Sequence, residues 1–433
     1  MGKTKIYEKD LSYNLLKPIV DWCTRGSYTD IEVTGKGDIP ADAAIIIAPN
    51  HCNTLMDALV VLQSFKDESV FGARADMFKR PLIAKAMFFL RILPMVRQRD
   101  GLRNVLKNYE SLDIITETLE HGVRFCMYPE GRHRPAHSLL PLGKGVMRAA
   151  IAANNRLEGK KPVYIVPTGL EYGDYFRYRS TCLINYGKPI NVTELIKELN
   201  VENEAQIMEP IRKLLQEKMS ELITYIPYDE DYDKVWALTK ILAREDARNG
   251  SLSDRMAHNK HVIEQIRKAR EIKPEEMEAL LDEALRFEKE RKNKGLSIWS
   301  FGKRNNIKRA IGKGMIALLG LPYFAFAAIA SLPMWLTFEL LRGKLKDKAF
   351  HNTAGLGIKL GMGLIYFPII TALAFCLMPW LVASLLVLLA IPSYGFFYDY
   401  KEFIRTYISD IKLLNEKKMS VSFNKIISDF TKL

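Results

Sequence analysis

Cysteine is scarce in this chain, and the little there is follows no pattern: Cys23, Cys52, Cys126, Cys182 and Cys376 show neither paired nor metal-type spacing. That argues against a disulfide framework and a cysteine-built metal site, and fits reduced thiols in a cytosolic compartment. Residues 1–20 carry charges and lack a continuous apolar core, so no cleavable signal peptide is expected there. Internal repeats, low-complexity tracts and nucleic-acid motifs are absent as well, although a formal net charge of +13 would suit nucleic acid as readily as an anionic lipid surface.

The placement of that charge favours lipid. Between Lys289 and Lys313 stand nine basic residues and one acidic one, followed directly by the uncharged run Gly314 to Phe338. A second uncharged run of 39 residues spans Leu360 to Tyr398. One membrane span needs about 20 apolar residues, so the longer run suits two helices turning near Met378-Pro379-Trp380. The shorter run has basic residues on both flanks and contains Pro322 and Pro333. The tendency of cationic flanks to stay cytoplasmic then predicts a bent, shallow or re-entrant segment. Basic charge beside apolar runs points to an anionic membrane lipid as partner, with no nucleic acid.

The 433 residues allow two or three domains. Residues 1–230 alternate strand-like and helix-like segments, the pattern of an α/β domain with a central mixed sheet flanked by helices. The expected strands are Ile31–Gly35, Ala43–Ala48, Ser69–Ala73, Val123–Tyr128, Val163–Thr168 and Cys182–Tyr186. Leu55–Phe65, Leu102–Glu120, Val146–Asn154 and Val192–Tyr225 are expected helices. Residues 231–305 form a densely charged helical region, with a helix start signal at Lys273-Pro274-Glu275-Glu276. Membrane-associated hydrophobic helices over 306–400 and a basic amphipathic tail over 401–433 complete the expected organisation.

Chemistry is expected at the strand ends. His51 and Asp57, in Asn50-His51-Cys52-Asn53-Thr54-Leu55-Met56-Asp57, follow the apolar run Ala43–Ala48 and enter the next helix. A carboxylate there can hold one imidazole nitrogen and leave the other as a base for a substrate hydroxyl. The spacing equally allows His51 to cap a turn and Asp57 to favour the positive helix end. Tyr128-Pro129-Glu130-Gly131-Arg132-His133-Arg134 follows another strand, at the rim where open α/β sheets bind ligands. Its arginines suit phosphate, and Glu130 can hold an arginine or accept a substrate hydroxyl. Arg97 and Arg99, and Lys144 ahead of a helix start, are further anion candidates.

Four ordered blocks across residues 30–190 resemble the glycerolipid acyltransferases, the superfamily of lysophosphatidate and glycerol-3-phosphate acyltransferases. Asn50-His51 through Asp57 resembles the first block, Pro94 through Arg97 the second, Tyr128-Pro129-Glu130-Gly131 the third and Ile165-Val166-Pro167 the fourth. Two departures stand out: five residues separate His51 from Asp57 where four are commonest, as in a branch with Asn-His-x-Asn, and Arg132-His133 replaces the usual Thr-Arg or Ser-Arg. The resemblance implies that His51 is the general base, oriented by Asp57. It implies that Arg97, Glu130, Gly131 and Arg132 bind the acceptor and its phosphate, and Lys144, ahead of its helix start, is a further candidate for that binding. It further implies an acyl-thioester donor, acyl-CoA or acyl carrier protein, and a glycerophosphate or lysolipid acceptor, with no metal and no resident cofactor.

Other readings are a nonphosphorylated lysolipid or lipoamino acid acceptor, a noncatalytic lipid-binding protein, and a hydrolase using Cys52 as nucleophile. The last is disfavoured because adjacent residues rarely bring their functional groups together.

Overall fold

In the computed structural model the chain divides into two compact units, Met1–Tyr225 and Ile226–Leu433. The structure describes residues 5–95, 105–201, 203–243, 250–302 and 305–433, with only the backbone of 105–109.

The first unit is built on one mixed sheet. Its strands are β1 (Tyr28–Thr34), β2 (Ala44–Pro49), β3 (Ser69–Arg74), β4 (Ile92–Met95), β5 (Arg124–Cys126), β6 (Val163–Tyr172), β7 (Ser180–Tyr186) and β8 (Ile190–Asn191). They lie in the order β1-β7-β6-β2-β5-β3-β4, with β8 beside β6. β6 pairs antiparallel with β7 and β8, and the other neighbours pair parallel. β2 sits centrally and every one of its residues is buried, which is what its Ile-rich run requires. Alternate side chains leave a strand on opposite faces. Ala44, Ile46 and Ala48 therefore join Phe125, Ile165, Met147, Ile211 and Leu215 in one core cluster.

Helices α1 (Leu11–Arg25), α2 (Leu55–Ser64), α3 (Pro81–Phe89), α4 (Val105–Glu120), α5 (Gly145–Leu157), α6 (Val192–Leu199) and α7 (Glu204–Glu221) flank the sheet. α1, α3, β4 and β8 were not expected from the sequence. The expected helix Val192–Tyr225 is two: α6 stops at Asn200, which takes a left-handed φ of 46°, and Asn203 starts α7 by accepting the N–H of Ala205 through its side chain. The expected strand Val123–Tyr128 shortens to β5.

β6 corrects the expected strand end at Thr168, running on to Tyr172. Pro167, which looks like a stop, is tolerated because β6 changes partner there. Tyr164 and Ile165 pair with β8, and residues 168–172 pair with β7. The Pro167 carbonyl still accepts the N–H of Gly187. Gly169 is required for space, since a Cβ there would stand 2.2 Å from the carbonyl oxygen of Leu222.

The second unit is helical: α8 (Tyr232–Leu242), α9 (Leu252–Ile272), α10 (Pro274–Asn293), α11 (Ile307–Ala330), α12 (Leu332–Arg342), α13 (Phe350–Leu377), α14 (Trp380–Ala390), α15 (Ser393–Asn415) and α16 (Lys417–Thr431). Pro274 opens α10, as its sequence signals. Residues of α8, α9, α10 and α16 share a core in which Phe287, Phe301 and Phe423 meet.

Among the described residues α11 and α13 are each long and apolar enough to cross a membrane, by length and composition. The first run breaks at Ser331, between α11 and α12, and Pro322 sits inside a continuous α11. So α11 has the length of a span, where a shallow or re-entrant segment was expected. The second run turns between Leu377 and Trp380 as expected. It breaks once more before Ser393, leaving α14 and α15 bent by 51°.

Candidate active site

β2 ends at Pro49 and delivers Asn50 and His51 to the C-terminal rim of the sheet. Asn50 is locked there, because its side chain accepts the N–H of Leu170 at 2.6 Å and donates to the Leu170 carbonyl at 3.1 Å. The chain then reverses at Thr54, whose φ of 50° and ψ of −125° are a conformation L-residues rarely adopt. α2 begins immediately after, with Asp57 in its first turn. The fold thereby accommodates all five residues between His51 and Asp57. His51 Nδ1–H donates to Asp57 Oδ2 at 2.7 Å, leaving Nε2 as the acceptor nitrogen.

Asp57 is fully buried, and a buried carboxylate needs donors. It has them. Oδ2 also accepts the backbone N–H groups of Cys52 at 2.9 Å and Asn53 at 2.7 Å. Oδ1 accepts the hydroxyl of Tyr172 at 2.7 Å. Burial first, and the Asp57 charge next, push the Tyr172 hydroxyl well above its usual range, so it stays a donor.

The block after β5 braces the histidine from its other side. Glu130 Oε1 accepts the backbone N–H of His51 at 2.9 Å, and Oε2 accepts that of Leu140, also at 2.9 Å. The backbone N–H of Arg134 donates to the His51 carbonyl at 2.9 Å. Tyr128 stacks on the imidazole with ring centres 4.3 Å apart, and His133 meets it edge-on at 5.7 Å. Gly131 makes the turn possible with φ 63°, a conformation that favours glycine. Burial raises the Glu130 carboxyl to about 7, against the opposing pull of the Leu140 and His51 amides.

The sequence-selected residues thus separate by place. His51, Asp57 and Glu130 form one hydrogen-bonded cluster, and Gly131 shapes its loop. Arg132 stands exposed beside it. Arg134 turns its guanidinium to Ser138 Oγ and the Leu139 carbonyl, each at 3.0 Å. Lys144 is exposed at the head of α5, where its charge acts on Glu209 of α7. Arg97 and Arg99 lie outside the described residues.

Cys52 is buried, and burial followed by the Asp57 charge raises its thiol well above the usual value, so it stays protonated and makes no nucleophile. Among the described residues no group of three His, Cys, Asp or Glu stands together to hold a metal ion. Sequence reasoning missed Tyr172 and the backbone role of Glu130. The one available signal for Tyr172 was its place two residues beyond Leu170 on the same strand, hidden by the apparent stop at Pro167 and Gly169.

Known proteins align with this same region. The family model described as Acyltransferase matches residues 30–171, from β1 almost to the end of β6. Glycerol-3-phosphate O-acyltransferase 2 of Saccharomyces cerevisiae is 30% identical over 133 residues, 31% of this chain and 17% of that protein. The matched part is therefore a small fraction of the curated relative's length. The crystal structure of the 1-acyl-sn-glycerophosphate acyltransferase PlsC from Thermotoga maritima is 18% identical, with a TM-score of 0.36 over 50% of this chain and 83% of that one. Residues 30–171 thus carry an Acyltransferase-family domain, similar to those of the glycerolipid acyltransferase superfamily.

Proposed function

We propose that this protein is an O-acyltransferase of phospholipid biosynthesis. It moves a fatty acyl group from acyl-CoA or acyl carrier protein to a hydroxyl of glycerol 3-phosphate or 1-acylglycerol 3-phosphate. The observation that carries this reading is the His51–Asp57 bond within an Acyltransferase-family domain. Asp57, held by four N–H and O–H donors, fixes the imidazole with Nε2 free to accept a proton.

In this reading Nε2 takes the proton of the acceptor hydroxyl as its oxygen attacks the thioester carbonyl. The new C–O bond forms, the C–S bond then breaks, and the departing thiolate takes the proton back from His51. No covalent enzyme intermediate is needed, and the protonated Cys52 supplies none. Arg97, Arg132 and Lys144 are the cations assigned to acceptor phosphate, whose binding would orient the hydroxyl. Glu130 and Gly131 hold the loop that carries Arg132. The apolar helices α11 and α13 support membrane association, and the basic stretch at the start of α11 supports a catalytic unit on the cytoplasmic face.

The test is transfer by the purified full-length protein from labelled acyl-CoA and acyl carrier protein to a panel of acceptors, with products identified by mass spectrometry. The panel includes glycerol 3-phosphate, its 1-acyl derivative and nonphosphorylated lysolipids. His51→Ala is expected to lower kcat by about 10²–10⁴-fold. Unchanged transfer in that variant, or product only from nonphosphorylated acceptors, would overturn the reading.

A further inference from the structure

The loop that braces His51 carries a second histidine, more deeply buried than His51 itself. From 127 to 144 the chain has no helix or strand, yet residues 136–140 are all buried. Irregular backbone ordinarily lies at the surface, and burying it requires partners for its polar groups. Two of those groups serve the candidate active site. The Arg134 N–H donates to the His51 carbonyl, and the Leu140 N–H donates to Glu130, which also accepts the His51 N–H.

His137 stands midway between Arg134 and Leu140. Its Nδ1 is 3.6 Å from Oε1 of Glu171 on β6, an ion-pair separation when the imidazole is protonated. Glu171 is itself fixed, because Oε2 accepts the backbone N–H of Thr224 at 3.1 Å and Oε1 accepts the Thr224 hydroxyl. Thr224 is fully buried just beyond α7. On its other side the His137 ring meets Tyr175, with centres 5.5 Å apart, and Tyr175 meets Tyr172 at 6.1 Å. Packing against α7 does not wedge this loop in place. Leu139 instead borders a cavity of about 330 Å³ whose other walls are Lys213, Gln216, Glu217, Ser220 and Tyr225.

We infer that His137 and Glu171 are positioning residues for His51. The pair ties the middle of the loop to β6 and to the end of α7, and so fixes the two amides, of Arg134 and Leu140, that hold the His51 main chain in place. Neither side chain touches the reacting atoms. The two histidine–carboxylate pairs of this unit thereby divide their tasks: Asp57 aims the His51 imidazole, and Glu171, through His137, steadies the backbone beneath it. The kinetic consequence rests on the acyl-transfer reading, whereas the tie itself does not.

Glu171→Gln keeps the shape of its side chain and removes the charge, and His137→Gln removes the imidazole but keeps a polar group. In the full-length protein in detergent, hydrogen–deuterium exchange of peptides covering 131–142 is expected to quicken about tenfold in either variant, with β2 and α5 unchanged. For acyl transfer, kcat is expected to fall about tenfold in each, and the double variant to be no worse than the singles, since the pair acts as one unit. Wild-type exchange in the loop would overturn the inference, as would additive losses in the double variant. Faster exchange across the whole domain would reduce the pair to a general stability contact and overturn it too. A loosened loop with wild-type kcat would show that His51 is not positioned through it. Absence of transfer in the wild type would instead sink the acyl-transfer reading, and exchange alone would then decide the tie.

Discussion

At the scale of single residues, the site is a histidine held on both its side chain and its backbone. Asp57 fixes the imidazole, while Glu130 and Arg134 fix the main chain of the same residue. Tyr172 acts through Asp57. Removing its hydroxyl leaves a buried carboxylate oxygen short of its best donor, a loss that costs about 1–3 kcal/mol for the group concerned. Tyr172→Phe is expected to lower kcat roughly tenfold, about 1.4 kcal/mol in the barrier, with acceptor KM unchanged; steady-state kinetics with varied acceptor check this. An unaltered kcat would make Tyr172 only a packing residue. Glu130 supplies the pH dependence. Its folded-state value of about 7 lies above the ordinary 4.5, so the folded protein holds this proton more tightly than the unfolded chain. The stability it contributes is full below about pH 4.5 and declines as pH rises to about 7. Activity runs the other way, because only the carboxylate accepts both amides without a proton to misplace. A pH profile of kcat is expected to rise through about 7 and to lose that limb in Glu130→Gln. Retention of the limb in the variant would assign it to another group.

At the scale of elements, the sequence read well wherever one periodicity prevailed and poorly where two signals competed. β2 and α2 were legible because a wholly buried strand and a strongly apolar helix have unmistakable patterns, and between them they carry His51 and Asp57. β6 was cut short because Pro167 and Gly169 look like a terminus when the neighbouring strands are unknown. α3 has apolar residues on every side and so no periodicity to read, and β4 is only four residues long with a proline among them. In the second unit, Glu288 ties α10 to α8. Burial alone would raise its carboxyl, but the bonds from Arg291 and Lys240 prevail and hold it at about 2. Below its ordinary value, such a group stabilises the fold above about pH 4.5, and that contribution is lost as pH falls toward 2. Glu288→Ala leaves the largely buried Lys240 ammonium uncompensated and is expected to destabilise the protein by about 3 kcal/mol. Thermal denaturation of the full chain in detergent measures it, and a melting temperature equal to wild type would show that the ion pair contributes nothing.

At the scale of the whole molecule, a basic chain with two long uncharged runs combines a unit that carries an Acyltransferase-family domain with a helical unit that has membrane-length segments. Composition and order alone determined much of this. The apolar runs, their cationic flanks, the alternation of strands and helices, and the succession of His51, Asp57 and the Glu130 block follow from residue type and spacing, which are local properties. Tertiary structure decided the rest, because it depends on contacts between segments far apart in the chain. Leu170 fixes Asn50 and Tyr172 reaches Asp57 across 120 and 115 positions, and neither contact leaves a mark in local sequence. Whether an apolar helix joins a core or stays uncovered, as α3 does, is likewise set by what packs against it. The histidine and its carboxylate were written in the sequence; the donors that hold them in working geometry were assembled only by the fold.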